Sequence, residues 1–303
     1  MPSRRAYLAA LGSSVVVSAA GCSGVDSTAS TSTTTRTTTR DVIHVPTRLP
    51  WGEAGEVDGT SVRPEAAWDQ HATLHLTSAD QLGVSGFDDR QACFVRVRVV
   101  ADADGPTPDL DDFSLDAGGE TATATTRLGV AAPYRIFPDE AAYGKNYPTD
   151  AGGGWLAFLL PSSLPADASP SLSVQFGGET EGQLQWPLPD ETVASLRAPA
   201  PDFEVRSFDV PSSVGPRETV EVSWTVANHG GPATFHAALN EQGPNYIPHQ
   251  SRVRVSAGER VSTSLGVEPR DEWAADEVRL AFRSVPRDAE WTVAVDSGTT
   301  TSA

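Results

Sequence analysis

The chain is poor in the residues that most often carry chemistry or hold a fold together covalently. It has two cysteines, one methionine and a single lysine, Lys145, in 303 residues. Cys22 is claimed by the N-terminal motif described next, so Cys93 is the one thiol left and no intrachain disulfide can form. Cys93 opens the strand-like run Cys93-Phe94-Val95-Arg96-Val97 and reads as a small buried hydrophobe. Met1 is the only methionine and no histidine follows Cys93 closely, which excludes a copper site of cysteine, two histidines and methionine. Neither a Gly-x-Ser-x-Gly elbow nor a His-Glu-x-x-His run occurs; Gly83-Val84-Ser85-Gly86 is one residue short. No apolar stretch reaches the roughly 20 residues that a membrane-spanning helix needs. Basic residues are scarce too. With 22 Lys+Arg against 40 Asp+Glu the net charge is −18, so the basic patches that nucleic acid or anionic headgroups require are missing. Carboxylates are so frequent that no pair of them singles out a glycosidase.

What is present begins at the N-terminus. Ser3-Arg4-Arg5-Ala6-Tyr7-Leu8 is a twin-arginine export signal, and the apolar stretch behind it stops at Ser18-Ala19-Ala20-Gly21-Cys22, a lipobox. The stretch is short, broken by Gly12, Ser13 and Ser14, and flanked by two arginines, as a signal peptide is. These motifs resemble the twin-arginine lipoproteins of salt-loving archaea. That resemblance implies a lipid on Cys22, a mature chain starting there, and export of already folded domains. One acyl chain anchors weakly and two anchor stably, so a diacylglycerol-type modification is expected.

Loss of Arg4 and Arg5 with the signal makes the mature chain more acidic still. Isoleucine is confined to Ile43, Ile136 and Ile247. High acid content with few lysines and few large aliphatics resembles the proteome of an extreme halophile. In molar salt the Debye length falls to about 3 Å, so self-repulsion is screened while the carboxylates hold water. In dilute buffer the same charge pushes the fold apart.

Residues 22–41 carry the lipid-bearing cysteine and a Ser/Thr-rich tract with almost nothing apolar. Such a tract cannot bury a core and is expected to be a disordered tether, spanning about 25 Å. None of Asn146, Asn228, Asn240 and Asn245 is followed by Ser or Thr two residues on, so N-glycosylation is not expected. Strand signals alternate with turn signals from residue 42 to 198. Asp58-Gly59 supplies the positive φ of a hairpin turn, and helical periodicity is confined to a turn near Glu140–Tyr143. Pro199-Ala200-Pro201 reads as a linker. A second domain spans 202–296, with Val220, Val222, Trp224 and Val226 on one strand face, and residues 297–303 form a frayed tail. The fold class expected is all-β: two tandem immunoglobulin-like sandwiches after a disordered Thr-rich tether.

Val226-Ala227-Asn228-His229-Gly230 and Gly258-Glu259-Arg260-Val261 resemble the recurring steps of cell-adhesion-related domains of bacterial and archaeal surface proteins. That resemblance covers Phe203–Val295 and implies a seven-stranded sandwich used as a spacer or adhesion module. The first domain is similar, more distantly, to immunoglobulin-like domains of other exported lipoproteins.

Three constellations bear on chemistry. His71 and His75 in a strand lie about 13 Å apart, too far for one zinc, and read as surface histidines. Asp102-Ala103-Asp104-Gly105 is the best calcium candidate, but Pro106 sits where a third ligand belongs and a solvated acidic turn is the simpler reading. The segment Pro133–Pro148 gathers Tyr134, Tyr143, Lys145 and Tyr147 between two strands, a composition suited to partner binding at a sandwich end. Together these readings lead to the expectation of a surface protein on the extracellular face of the cell membrane, anchored through lipid on Cys22. It is expected to need no cofactor or metal, to bind no nucleic acid, and to act without catalysis by binding a protein or glycan partner. An accessory subunit of a membrane transporter or secreted complex is the alternative.

Overall fold

Alternation of valines and aromatics with polar residues makes the strands, and the computed structural model of the chain shows where each face is buried. It describes residues 46–128, 152–177, 182–243, 246–269 and 272–296, all within a compact unit spanning Ile43–Ala303. In chain order the first sandwich uses β1 (Thr47–Arg48), β2 (Gly55–Val57), β3 (Thr60–Gln70), β4 (Ala72–Ser78), β5 (Gln81–Gly86), β6 (Arg90–Ala101), β7 (Phe113–Asp116), β8 (Thr121–Thr123), β9 (Gly153–Pro161), β10 (Ser171–Phe176) and β11 (Gly182–Pro187). One sheet runs β2-β3-β6-β9. The facing sheet runs β1-β11-β10-β7-β8, with β1 parallel to β11, while β4 and β5 pair only with each other. Asp58 and Gly59, both at positive φ, turn β2 into β3 as the Asp-Gly signal predicts.

Strand β6 explains much of this half. Its odd residues Cys93, Val95, Val97 and Val99 enter the main core with Phe158, Leu172 and Trp186. Its even residues Ala92 and Phe94 are equally buried, under a second apolar layer with Trp155, Leu128 and Trp68. Phe94 stacks on Trp68 at 5.3 Å and meets Trp155 edge-on at 5.9 Å. Pro64 cannot donate to the ladder, and the β3–β6 register slips between Pro64 and Ala66. The bulged Glu65 then faces three arginines, Arg63 at 2.6 Å, Arg96 at 3.0 Å and Arg98 at 4.0 Å. Partial burial opposes ionisation of Glu65, but these cations hold its carboxyl below the usual range.

The helical turn expected near Glu140–Tyr143 lies outside the described residues. The helix among them is α1 (Asp190–Arg197), at the end of a domain, where the sequence predicts strands alone. Its eight residues carry too short an apolar stripe, Thr192 and Leu196, to stand out as periodicity. Packing makes it. Leu196 is buried in the main core, Thr192 Oγ1 donates to Ala67 O at 3.1 Å, and Gln91 Nε2 donates to Leu196 O at 2.8 Å.

The second sandwich uses β12 (Phe203–Asp209), β13 (Ser213–Val214), β14 (Val220–Asn228), β15 (Ala233–Glu241), β16 (Pro248–Val255), β17 (Arg260–Val267), β18 (Glu277–Arg283) and β19 (Ala289–Val295). Sheet β12-β14-β17 faces sheet β13-β19-β18-β15-β16. The opening segment serves both. It pairs antiparallel with β14 as β12, then crosses over to pair parallel with β19 as β13, the switched first strand of an immunoglobulin-like sandwich. Val220, Val222, Trp224 and Val226 all point inward, as their alternation predicts. Trp224 meets Phe282 edge-on at 5.1 Å. Burial of each such side chain contributes on the order of 2 kcal/mol. Among the described residues the fold is all-β apart from α1 and a short 3-10 turn at Leu110–Asp112.

Candidate functional site

Asn228, at the end of β14, holds the turn that follows it. It is fully buried and satisfied on every side. Its Oδ1 accepts from Asp202 N and Gly230 N, each at 3.1 Å, and its Nδ2 donates to Gly231 O at 2.6 Å and Val255 O at 3.1 Å. The segment 199–202 is thereby tied to β14. His229 N donates to Asp202 O at 2.8 Å and Gly231 N to Ala200 O at 3.0 Å. Gly230 and Gly231 lie against Ala200 and Pro199, where an added Cβ would strike their carbonyl groups.

A second tie comes from the β4–β5 hairpin, which leaves the first sandwich at the bend on His71. It lies across the outer face of β15. Phe235, Ala237 and Leu239 of β15 point into the second core. The alternate residues His236, Ala238 and Asn240 point the other way and are still no more than 4% exposed. Ala238 packs on Leu74 and Leu82. Asn240 pairs with the backbone of Leu82 in both directions: Leu82 N donates to Oδ1 and Nδ2 donates to Leu82 O, each at 2.8 Å.

Between these ties a cleft of about 390 Å³ opens. His71 and Ala72 line it from the bend, and Gly86, Phe87 and Asp88 from the β5–β6 turn. Residues Ala200 to Phe203, Thr234 to His236 of β15, and Val285 and Pro286 from the β18–β19 turn complete it. The last turn is pinned by Ser284, whose Oγ donates to Arg287 O at 2.6 Å. Phe203 and Phe235 meet edge-on at 5.4 Å within the wall. His236 is buried with neither ring nitrogen hydrogen-bonded, and burial, aided by the charge of Arg252, pushes its pKa down to about 4. Burial lowers His71 as well, against the opposing pull of Asp69. Both imidazoles are therefore neutral at pH 7. Asp88, in the left-handed region at φ 55°, and Asp202 are exposed. The surface offered is aromatic and apolar with carboxylates at the rim.

The sequence-derived site residues fall elsewhere. Arg4, Arg5 and Cys22 lie outside the described residues, as do Tyr134, Tyr143, Lys145 and Tyr147. Asp102 and Asp104 are exposed in the turn after β6, where Asp102 N donates to Gly59 O at 2.9 Å. Among the described residues no group of three or more His, Cys, Asp or Glu side chains is placed to hold a metal ion. His75 lies along β4, its Nδ1 3.5 Å from Ser85 Oγ, whereas His71 belongs to the bend and to the cleft. Burial raises the pKa of the Cys93 thiol far above its ordinary value, which fits an inert core residue. No sequence motif marks the cleft, because its residues come from five separate segments. One signal was available: the outward positions of Ala233-Thr-Phe-His-Ala-Ala-Leu-Asn240 carry no full charge, the mark of a strand covered on both faces.

Fold and cleft together define an all-β protein of two buttressed sandwiches with a preformed cavity at their junction. No family model matches the chain, and no curated protein matches it. Among solved structures, an uncharacterized β-sandwich protein from Clostridium difficile 630 is similar over 48% of this chain and 95% of its own, at 10% identity and TM-score 0.31. A β-glucosidase from Listeria innocua, in complex with isofagomine, is similar over 31% of this chain at 16% identity and TM-score 0.25; the match spans only 16% of the glucosidase. Likenesses this distant say nothing about what the chain binds or does.

Proposed function

We propose that this chain is a non-catalytic binding module, exported through its twin-arginine signal and held at the extracellular face of the membrane by lipid on Cys22. The β-sandwich fold is compatible with such a module. The observation that carries the reading is the junction: two filled cores, locked by Asn228 and by Asn240 on Leu82, present a preformed cleft instead of a flexible link. Preorganisation of this kind lowers the entropic cost of binding. No helix among the described residues is long and apolar enough to cross a membrane, so in this reading the lipid supplies the attachment. The partner is a protein or glycan near the membrane, with Tyr134, Tyr143, Lys145 and Tyr147 as a second contact region. Cross-linking on intact cells in molar salt, followed by capture and mass spectrometry, tests the reading. Recovery of a surface protein or glycan supports it, a stoichiometric integral-membrane partner moves it to accessory subunit, and a substrate converted by the purified chain overturns it. Separately, Cys22→Ser is expected to release the protein into the medium; full retention in the membrane fraction contradicts the anchor.

A further inference from the structure

The cleft has a charge pattern that selects a kind of ligand. Of its lining residues the ionisable ones are Asp88, Asp202, His71 and His236, with no lysine or arginine. Neither the Asp88 nor the Asp202 carboxylate has a hydrogen bond or ion pair among the described residues, and both stand at the rim. The partly buried rings behind them are Phe87 and Phe203, with Val285 54% exposed on the opposite lip. His236 closes the floor, 4% exposed and unpartnered at both ring nitrogens.

We propose that the junction cleft binds an organic cation with an apolar body, of the quaternary-ammonium or alkylamine class, set on the aromatic wall with its charge toward Asp88 and Asp202. This inference rests on the reading of the chain as a binding module and names the ligand chemistry of its cleft. An anion would meet two carboxylates at the rim and no lysine or arginine among the lining residues. Among the described residues no group of three or more His, Cys, Asp or Glu side chains is placed to hold a metal ion. A cation with methyl or methylene groups suits both the rim carboxylates and the apolar lining. Its charge lies against ring faces and carboxylates, its carbon groups against Pro201, Pro286 and Val285, and its size suits a cavity near the lower end of small-ligand sites. In molar salt, where inorganic cations screen the carboxylates, the aromatic wall confers the preference for an organic one.

Calorimetry on the full mature chain in molar salt tests this with choline and its uncharged carbon isostere, 3,3-dimethylbutan-1-ol. Choline is expected to bind with the isostere weaker by about three- to thirtyfold, the range of a partly desolvated cation–aromatic contact. Asp202→Asn and Phe203→Leu should each weaken choline several-fold. Asp104→Asn, an exposed carboxylate on a remote turn, should not. Circular dichroism confirms that each variant is folded. Equal binding of choline and its isostere overturns the proposal, as does choline binding untouched by both cleft variants. Absence of choline binding overturns it too. If the chain still captures a surface partner, the binding-module reading stands without it; if no partner is captured either, both fall.

Discussion

Replacing Asn240 by alanine probes the coupling of the two sandwiches. The side chain is 2% exposed and holds both the N–H and the C=O of Leu82 at 2.8 Å. Leu82 is itself 1% exposed, so water cannot freely replace the lost amide. Each buried group left unpaired costs about 1–3 kcal/mol, which gives a loss of roughly 2–6 kcal/mol for the pair. The small contact of Leu74, Leu82 and Ala238 beside it is too slight to compensate. At about 2–4 °C per kcal/mol for a unit of this size, the midpoint of thermal unfolding should fall by roughly 4–24 °C. Guanidinium unfolding in molar salt, followed by tryptophan fluorescence, checks both size and shape. Tryptophans stand in both halves, Trp155 and Trp186 in the first and Trp224 and Trp273 in the second. Loosening the hairpin from β15 should therefore split one transition into two. A shift below about 0.5 kcal/mol, within the range of ordinary surface substitutions, with a single transition retained, would refute the reasoning.

Other consequences follow from single groups. His236 has its pKa depressed to about 4 in the folded chain, against about 6.5 unfolded. The unfolded state thus binds the proton first, and stability is lost as pH falls from about 6.5 to 4, by about 3 kcal/mol in all. A His236→Leu variant should lose that part of the acid sensitivity, and a matched pH series of unfolding free energies reads the difference. Gly231→Ala should destabilise by about 1–3 kcal/mol, as overpacking does, because the new methyl meets the Pro199 carbonyl; a neutral result would show that segment 199–201 can give way. Cys93, fully buried with its pKa raised, should stay unreactive to thiol reagents until denaturant unfolds the chain. Dilution from molar to millimolar salt should lower the unfolding midpoint through self-repulsion of the net charge of −18.

The strands were legible wherever a period of two met a polar face: Val220 to Val226, the Asp58-Gly59 hairpin and the inward valines of β6 stand where their pattern puts them. Helix α1 was not, since eight residues held by long-range packing of Leu196 and Gln91 leave almost no periodic trace. The cleft was less legible still. His236, Phe203 and Phe87 lie far apart in sequence, and only the tertiary path brings them together. At Asn228 the run Val226 to Gly230 marks a turn in the sequence, but the four hydrogen bonds of its side chain, to Asp202, Gly230, Gly231 and Val255, are visible only in three dimensions. Strand β15 carries the clearest hint, because its outward residues Thr234, His236, Ala238 and Asn240 bear no full charge and so ask for a neighbour on that face too.

The most direct test of the account installs a photo-cross-linking residue at Val285, on the lip of the cleft, and compares it with the same residue at Val100. Both sites are exposed, 54% and 53%. Val100 lies at the far end of β6 from the β5–β6 turn, about 30 Å of strand away. On intact cells in molar salt the account predicts a discrete adduct from position 285 and none from position 100. Adducts of equal yield from both positions, or from position 100 alone, would contradict the assignment of binding to the junction cleft.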